Sequence, residues 1–216
     1  MIKALIFDMD GVLLNTETVN EKATVQMMKG RYGVDLPLEV ILKTMGLRDK
    51  EEFAMYKALY GIKDPIEKMV DYRNNRFYEL ANESNVVFKG VNEKLKELSN
   101  KYTLALTTSA HGVKFNFETK FFNIGLFEII IQGSDVKKGK PNPECYLTTI
   151  NRLGLQPYEC VVVEDSLNGI RAAKKAGAKC IAVLGTFSEA ELKKAGADVI
   201  IPGVNYITKE ILGAMK

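Results

Sequence analysis

Six short, almost continuous apolar runs punctuate the chain: Ile2–Phe7, Tyr102–Thr107, Glu128–Ile131, Cys160–Val163, Cys180–Leu184 and Val199–Ile201. Runs of this length without polar alternation predict strands buried on both faces, as in a parallel sheet. Between them the apolar period changes to that of a helix. Val91, Leu95 and Leu98 share one face. Tyr146, Leu147, Ile150 and Leu153 share another, with Asn142-Pro143-Glu144 as the start signal and Gly154 as the stop. Ser166 is placed to cap a helix ending at Gly177, and Ser188 with Glu191 forms a capping box before a helix ending near Gly196. Strands alternating with helices predict an α/β fold, a doubly wound parallel (Rossmann-like) sheet.

One interval breaks the rhythm. From Gly11 to about Phe88 the pattern is helical throughout, with Gly33, Gly46 and Gly61 as breaks and Thr18 and Glu21 as a capping box near the start. That length far exceeds an ordinary strand-to-helix connection. The expected organisation is a core of residues 1–14 and 86–216 carrying an inserted α-helical cap domain over residues 15–85. Extra helices packed beside a single core are the competing arrangement.

Composition narrows the class. Thirty basic and 27 acidic residues are interspersed to a net charge of +3, too mild and too scattered for a nucleic-acid surface, so no nucleic-acid partner is expected. No stretch approaches the ~20 apolar residues of a membrane helix, and the N-terminal apolar run has no cleavage signal. No membrane partner, a cytoplasmic location and a monomer are the default expectations. Three widely spaced cysteines argue against a disulfide framework, and His111 as the only histidine excludes chemistry that needs two.

The chemistry-bearing residues stand where strands end. The first run closes in Asp8-Met9-Asp10-Gly11, the fourth in Glu164-Asp165-Ser166 with Gly169 beyond. In an open α/β sheet such positions face the ligand crevice. Each segment alone could be an Asp-Gly turn or a helix cap. Together, four acids converging on one place would repel one another unless a divalent cation sat among them, and Mg²⁺ fits carboxylates, waters and a substrate phosphate best. Thr108 and Ser109 end the second run, where hydroxyls and N–H groups could hold a phosphate. Lys140 precedes a helix and could neutralise one.

These elements, Asp8-x-Asp10-Gly11, Thr108, Lys140-Pro141 and Glu164-Asp165-Ser166-x-x-Gly169, occur in the order of the motifs of the haloacid dehalogenase superfamily. The chain most resembles its β-phosphoglucomutase-like phosphatases, over essentially all 216 residues. The resemblance implies a Mg²⁺-dependent hydrolysis of a small phosphorylated metabolite through an aspartyl-phosphate. Asp8 is then the nucleophile and Asp10 the general acid/base. Asp8, the Asp10 carbonyl, Glu164 and Asp165 form the metal site, and Thr108, Ser109 and Lys140 bind phosphate. Asp10 favours phosphoryl transfer over dehalogenation, since the dehalogenases lack an acid there. Arg48, Arg73 and Asn20 fall at cap positions that read the substrate in the family. Asn20 stands where the mutases carry a histidine, which favours water over a sugar hydroxyl as acceptor. A sugar-phosphate mutase is the alternative expectation, and a phospho-acceptor signalling module a more distant one, since receiver domains phosphorylate a later strand and lack a helical insert.

Overall fold

A computed structural model describes residues 1–44, 49–84 and 86–215. The chain divides into two compact units, one made of Met1–Asn15 and Val87–Lys216, the other of Thr16–Val86. The divisions fall at 15/16 and 86/87, against 14/15 and 85/86 in the sequence reading.

The first unit is built on six parallel strands: β1 (Ala4–Phe7), β2 (Thr103–Thr107), β3 (Ile129–Ile131), β4 (Cys160–Glu164), β5 (Lys179–Val183) and β6 (Val199–Ile201), in the order β3-β2-β1-β4-β5-β6. β1, β2 and β3 start a residue or two after their apolar runs, β4 continues one residue further, through Glu164, β5 is shifted one residue earlier, and β6 matches its run. Strand order reverses at the β1/β4 pair, and that reversal opens a crevice at the strand carboxyl ends.

Both faces of the sheet are buried, which is why the runs do not alternate. Ile6, Val162, Cys180 and Ala182 pack on one face beneath Tyr146 and Ile150 of helix α7 (Glu144–Leu153), Ile170 and Ala173 of α8 (Leu167–Lys175) and Leu192 of α9 (Glu189–Ala195). The intervening residues Leu5, Phe7, Leu104 and Val163 are buried too, and the Phe7 ring meets Phe127 edge-on, centroids 6.2 Å apart. Ser166 caps α8 and the Ser188–Glu191 box caps α9. Two helix expectations shift. Leu147 is partly exposed, and Cys145 and Thr149 join the buried face of α7 instead. Asn142 accepts a hydrogen bond from Glu144 N, so the helix begins at Glu144, with Pro143 at the capping position.

The second unit contains α1 (Thr16–Tyr32), α2 (Leu38–Thr44), α3 (Asp49–Tyr60) and α4 (Ile66–Glu83), with no strand among its described residues. Thr18 lies inside the first turn of α1, so it does not cap that helix. Both α1 and α3 pack on α4, around a core of Met27, Met28, Phe53, Tyr56, Ile62 and Met69. The Tyr56 hydroxyl, buried in this core, shares a hydrogen bond with Thr44 and donates another to Glu52. Arg73 is 6% exposed. Its guanidinium donates to Asp49 Oδ2 at 2.6 Å and to Asn74 Oδ1 at 3.0 Å and lies 5.7 Å from the Phe53 ring centroid.

Arg73 therefore ties α4 to the start of α3 with a charge-assisted bond from a buried donor. Arg73→Ala leaves Asp49 half exposed and hydrated, so the cost is the lost bond and packing, about 1–3 kcal/mol. A urea-denaturation midpoint that does not move would show that the guanidinium contributes nothing to holding these helices.

Candidate active site

Parallel register sets the stage. Phe7 pairs with both Leu106 and Val163, so Asp8, Thr107 and Glu164 stand one step further at the same level. The Asp8 amide donates to Val163 O at 2.9 Å, which extends the β1–β4 ladder to Asp8.

Glu164 is the most heavily bonded acid. Its side chain is fully buried. Oε1 accepts from Lys140 Nζ at 2.7 Å and from Tyr146 OH at 2.9 Å. Oε2 accepts from the amides of Asp165 and Ser166, each at 2.9 Å, and from Ser166 Oγ at 3.0 Å. Burial pushes its carboxyl up, but the Lys140 ammonium and these donors outweigh burial and hold it below the usual range.

Lys140 Nζ also donates to Asp8 Oδ1 at 2.6 Å and lies 5.1 Å from the centroid of the Tyr146 ring. The peptide bond between Lys140 and Pro141 is cis. Burial favours a neutral amine, yet the carboxylates of Asp8 and Glu164 prevail and raise its pKa. Asp8 has far fewer donors than Glu164. Burial lifts its carboxyl to about 7, with Lys140 opposing and Glu164 adding to the rise. Of the two acids sharing one ammonium, Asp8 is thus the one pushed up and Glu164 the one held down.

Asp165 completes the cluster. Asp8, Glu164 and Asp165 are all buried and present carboxylate oxygens within 4.8 Å of one another. Two glycines make room for these acids. A Cβ on Gly11 would overlap the Asp165 carboxylate, and one on Gly169 the Glu164 carboxylate. Gly11 also has φ +74°, a conformation side chains disfavour.

Asp10 is a partly exposed acid whose Oδ2 accepts from Lys114 Nζ at 2.9 Å. Lys114 lies on helix α6 (Gly112–Glu118), and Glu118 Oε1 is 3.1 Å from the same ammonium. Thr108 is buried, and its Oγ1 accepts from the Ala110 amide at 3.0 Å. Ser109 is exposed, with its carbonyl 3.4 Å from His111 Nδ1. Asp8, Asp10, Thr108, Ser109, Lys140, Glu164 and Asp165 thus all belong to the sheet unit. Asn20, half-buried on α1, and Arg73 belong to the helical unit. Arg48 and Gly46 lie outside the described residues.

Three further side chains enter the site that sequence reasoning did not assign to it. Tyr146 reads as one more apolar position of its helix. Its hydroxyl supplied no separate signal, although it stands six residues after Lys140. Lys114 and Glu118 show only the i,i+4 spacing of a surface pair, and nothing in that spacing points to Asp10.

A family model described as haloacid dehalogenase-like hydrolase matches residues 5–183. A Bacillus subtilis protein named as a phosphatase is 39% identical over 85% of this chain and 84% of its own length. A phosphorylated carbohydrates phosphatase of Thermotoga maritima is 33% identical over 100% of this chain and 99% of its own. Among solved structures, one from Thermotoga maritima that carries the beta-phosphoglucomutase name superposes with a TM-score of 0.85 at 30% identity, covering 99% of this chain and 98% of that one. A much longer Arabidopsis thaliana chloroplast protein, SUPPRESSOR OF QUENCHING 1, matches at 32% identity, with this chain spanning 20% of its length. The chain belongs to the haloacid dehalogenase-like hydrolases, and within them to an enzyme group that contains phosphatases.

Gly169 sits in a helix, where alanine alone would gain about 1 kcal/mol. The new Cβ must instead displace a buried carboxylate held by five donors, so Gly169→Ala is expected to lose about 1–3 kcal/mol net. Chemical denaturation of the purified variant measures the sign, and a stabilised protein would show that Glu164 can move aside freely.

Proposed function

We propose that the chain is a Mg²⁺-dependent phosphomonoester hydrolase that acts on a small phosphorylated metabolite through a phosphorylated Asp8. The observation that carries this reading is Asp8 itself. It is a buried carboxyl at the end of the central strand, bonded to Lys140 and grouped with Glu164 and Asp165. A carboxylate is a weak nucleophile and needs an electrophilic phosphorus held in line beside it. Lys140, the hydroxyls of Thr108 and Ser109 and the Ser109 amide supply donors for the phosphoryl oxygens.

In the first step an Asp8 oxygen bonds to phosphorus while the bond from phosphorus to the ester oxygen breaks. Asp10 gives its proton to that leaving oxygen. In the second step Asp10, now a carboxylate, takes a proton from a water whose oxygen attacks phosphorus. The bond to Asp8 then breaks and phosphate leaves. The sum is ester plus water giving alcohol plus phosphate.

The donor set fits a hard cation. Asp8 and Asp165 offer carboxylate oxygens within 4.8 Å of one another, a range that includes the ~4.2 Å across an octahedron of ~2.1 Å bonds. Bound there, Mg²⁺ would neutralise charge on the transferring phosphoryl group. The Asp10 carbonyl is the third ligand in this reading. Glu164, whose oxygens accept from five donors, is read as the member of the metal site that also holds Lys140 and the Asp165-Ser166 turn. The helical unit, with Asn20, Arg48 and Arg73, is read as the part that selects the substrate, and Arg73 is engaged by Asp49.

A mutase is the second reading, favoured by the likeness to the protein with the beta-phosphoglucomutase name. Isomerisation of a hexose phosphate faster than phosphate release would decide for it, and Asn20 speaks against it.

Asp8→Asn is expected to lower phosphate release from a model ester by at least about a thousandfold. Wild-type turnover in that variant would remove Asp8 from the chemistry. A calorimetric measurement tests the cation separately. With its pKa raised to about 7, Asp8 keeps part of its proton below that pH, and a cation binds only the carboxylate. Adding Mg²⁺ at pH 6 should therefore release protons, adding it above pH 8 should release almost none, and affinity should rise as pH climbs through 7. Proton release that persists unchanged in Asp8→Asn would contradict the assignment.

A further inference from the structure

Glu118 stands apart from every other buried acid in the molecule. It is completely buried, and neither of its oxygens accepts a hydrogen bond among the described residues. Lys114 Nζ, at 3.1 Å from Oε1, is its charge partner without hydrogen-bond geometry. A buried carboxyl in that state is costly, and packing alone would be served better by leucine. An i,i+4 pair on an exposed helix face would carry no such cost, because both groups would be hydrated.

The cost has an explanation if the ammonium must be held at a fixed place. From that place Lys114 reaches across 104 residues of sequence to Asp10 Oδ2, at 2.9 Å. Asp10 follows Asp8 by two residues, and the acids of the cluster repel it. An ammonium held between Glu118 on its own helix and Asp10 sets the direction of the Asp10 carboxylate.

We propose that Lys114, backed by Glu118, is a positioning residue that aims Asp10 for its proton transfers. The inference rests on the reading of Asp10 as general acid/base. Lys114 touches neither the phosphorus nor the leaving oxygen. It acts by keeping Asp10 aligned with them, and a positioned acid is worth about 10²- to 10⁴-fold in rate.

Leaving-group dependence of kcat/KM separates this role from a structural one. An alkyl phosphate needs its leaving oxygen protonated, whereas p-nitrophenyl phosphate leaves as a stabilised phenolate. In Lys114→Met the ratio of alkyl to p-nitrophenyl kcat/KM should fall about 10- to 100-fold, and Lys114→Arg, which keeps a donor at the tip, should restore most of it. Lys114→Met/Glu118→Gln removes the stranded carboxylate, so it provides a folded protein should Lys114→Met not fold, and the same fall is expected. Equal loss on both esters, or no loss, overturns the proposal. Asp10→Asn serves as the reference. If Asp10→Asn changes the ratio and the lysine variants do not, the positioning role fails alone. If Asp10→Asn leaves the ratio unchanged, the acid/base reading fails and takes this inference with it.

Discussion

Lys140 lies within 2.7 Å of two buried carboxylates, Asp8 and Glu164, and under the ring of Tyr146. None of the three charges could occupy this interior singly, because an unpaired buried ion costs several kcal/mol. The arrangement has an asymmetry with chemical consequences. Glu164 is saturated by five donors and stays ionised, while Asp8 is bonded much more sparsely and rides up in pKa. Glu164 is thereby fixed by its donors, and Asp8 is the more sparsely held of the two. A carboxylate short of donors is also one with lone pairs available to a cation or to phosphorus.

The same interaction explains the spacing of the acidic motifs. Gly11 and Gly169 are places where a side chain would collide with Asp165 and Glu164. The glycine after the first pair of aspartates accommodates the acid on the neighbouring strand β4. The glycine in α8 accommodates the acid at the end of the preceding strand. Each motif thus leaves room for a carboxylate at the β1/β4 reversal, and the two acidic segments are sterically interlocked as well as electrostatically coupled.

Much of this was legible along the chain. Strands buried on both faces betray themselves as unbroken apolar runs, and all six were found, five of them with an end displaced by a residue or two. Local capping at Ser166 and Ser188 was legible because a cap bonds within three residues. Misplaced features depended on packing. Leu147 fits the helical period yet stays partly exposed, because the buried face of α7 is centred on Tyr146 and Ile150. Thr18 and Glu21 have capping-box spacing, but α1 begins at Thr16. The acids, Thr108 and Lys140 were recognisable at strand ends. Tyr146, Lys114 and Glu118 were not, since an aromatic on a helix and an i,i+4 pair usually signify only packing and solvation.

The sequence by itself determined the class of fold and the residues with chemical capacity at its strand ends, because both follow from short-range pattern and residue type. Tertiary structure alone decided who bonds to whom. It joined Lys140 to acids 132 and 24 residues away and Lys114 to Asp10, and it pushed the Asp8 carboxyl up in pKa while holding Glu164 down. Those outcomes depend on distances and desolvation at one crevice, which exist only once the six strands have paired in register.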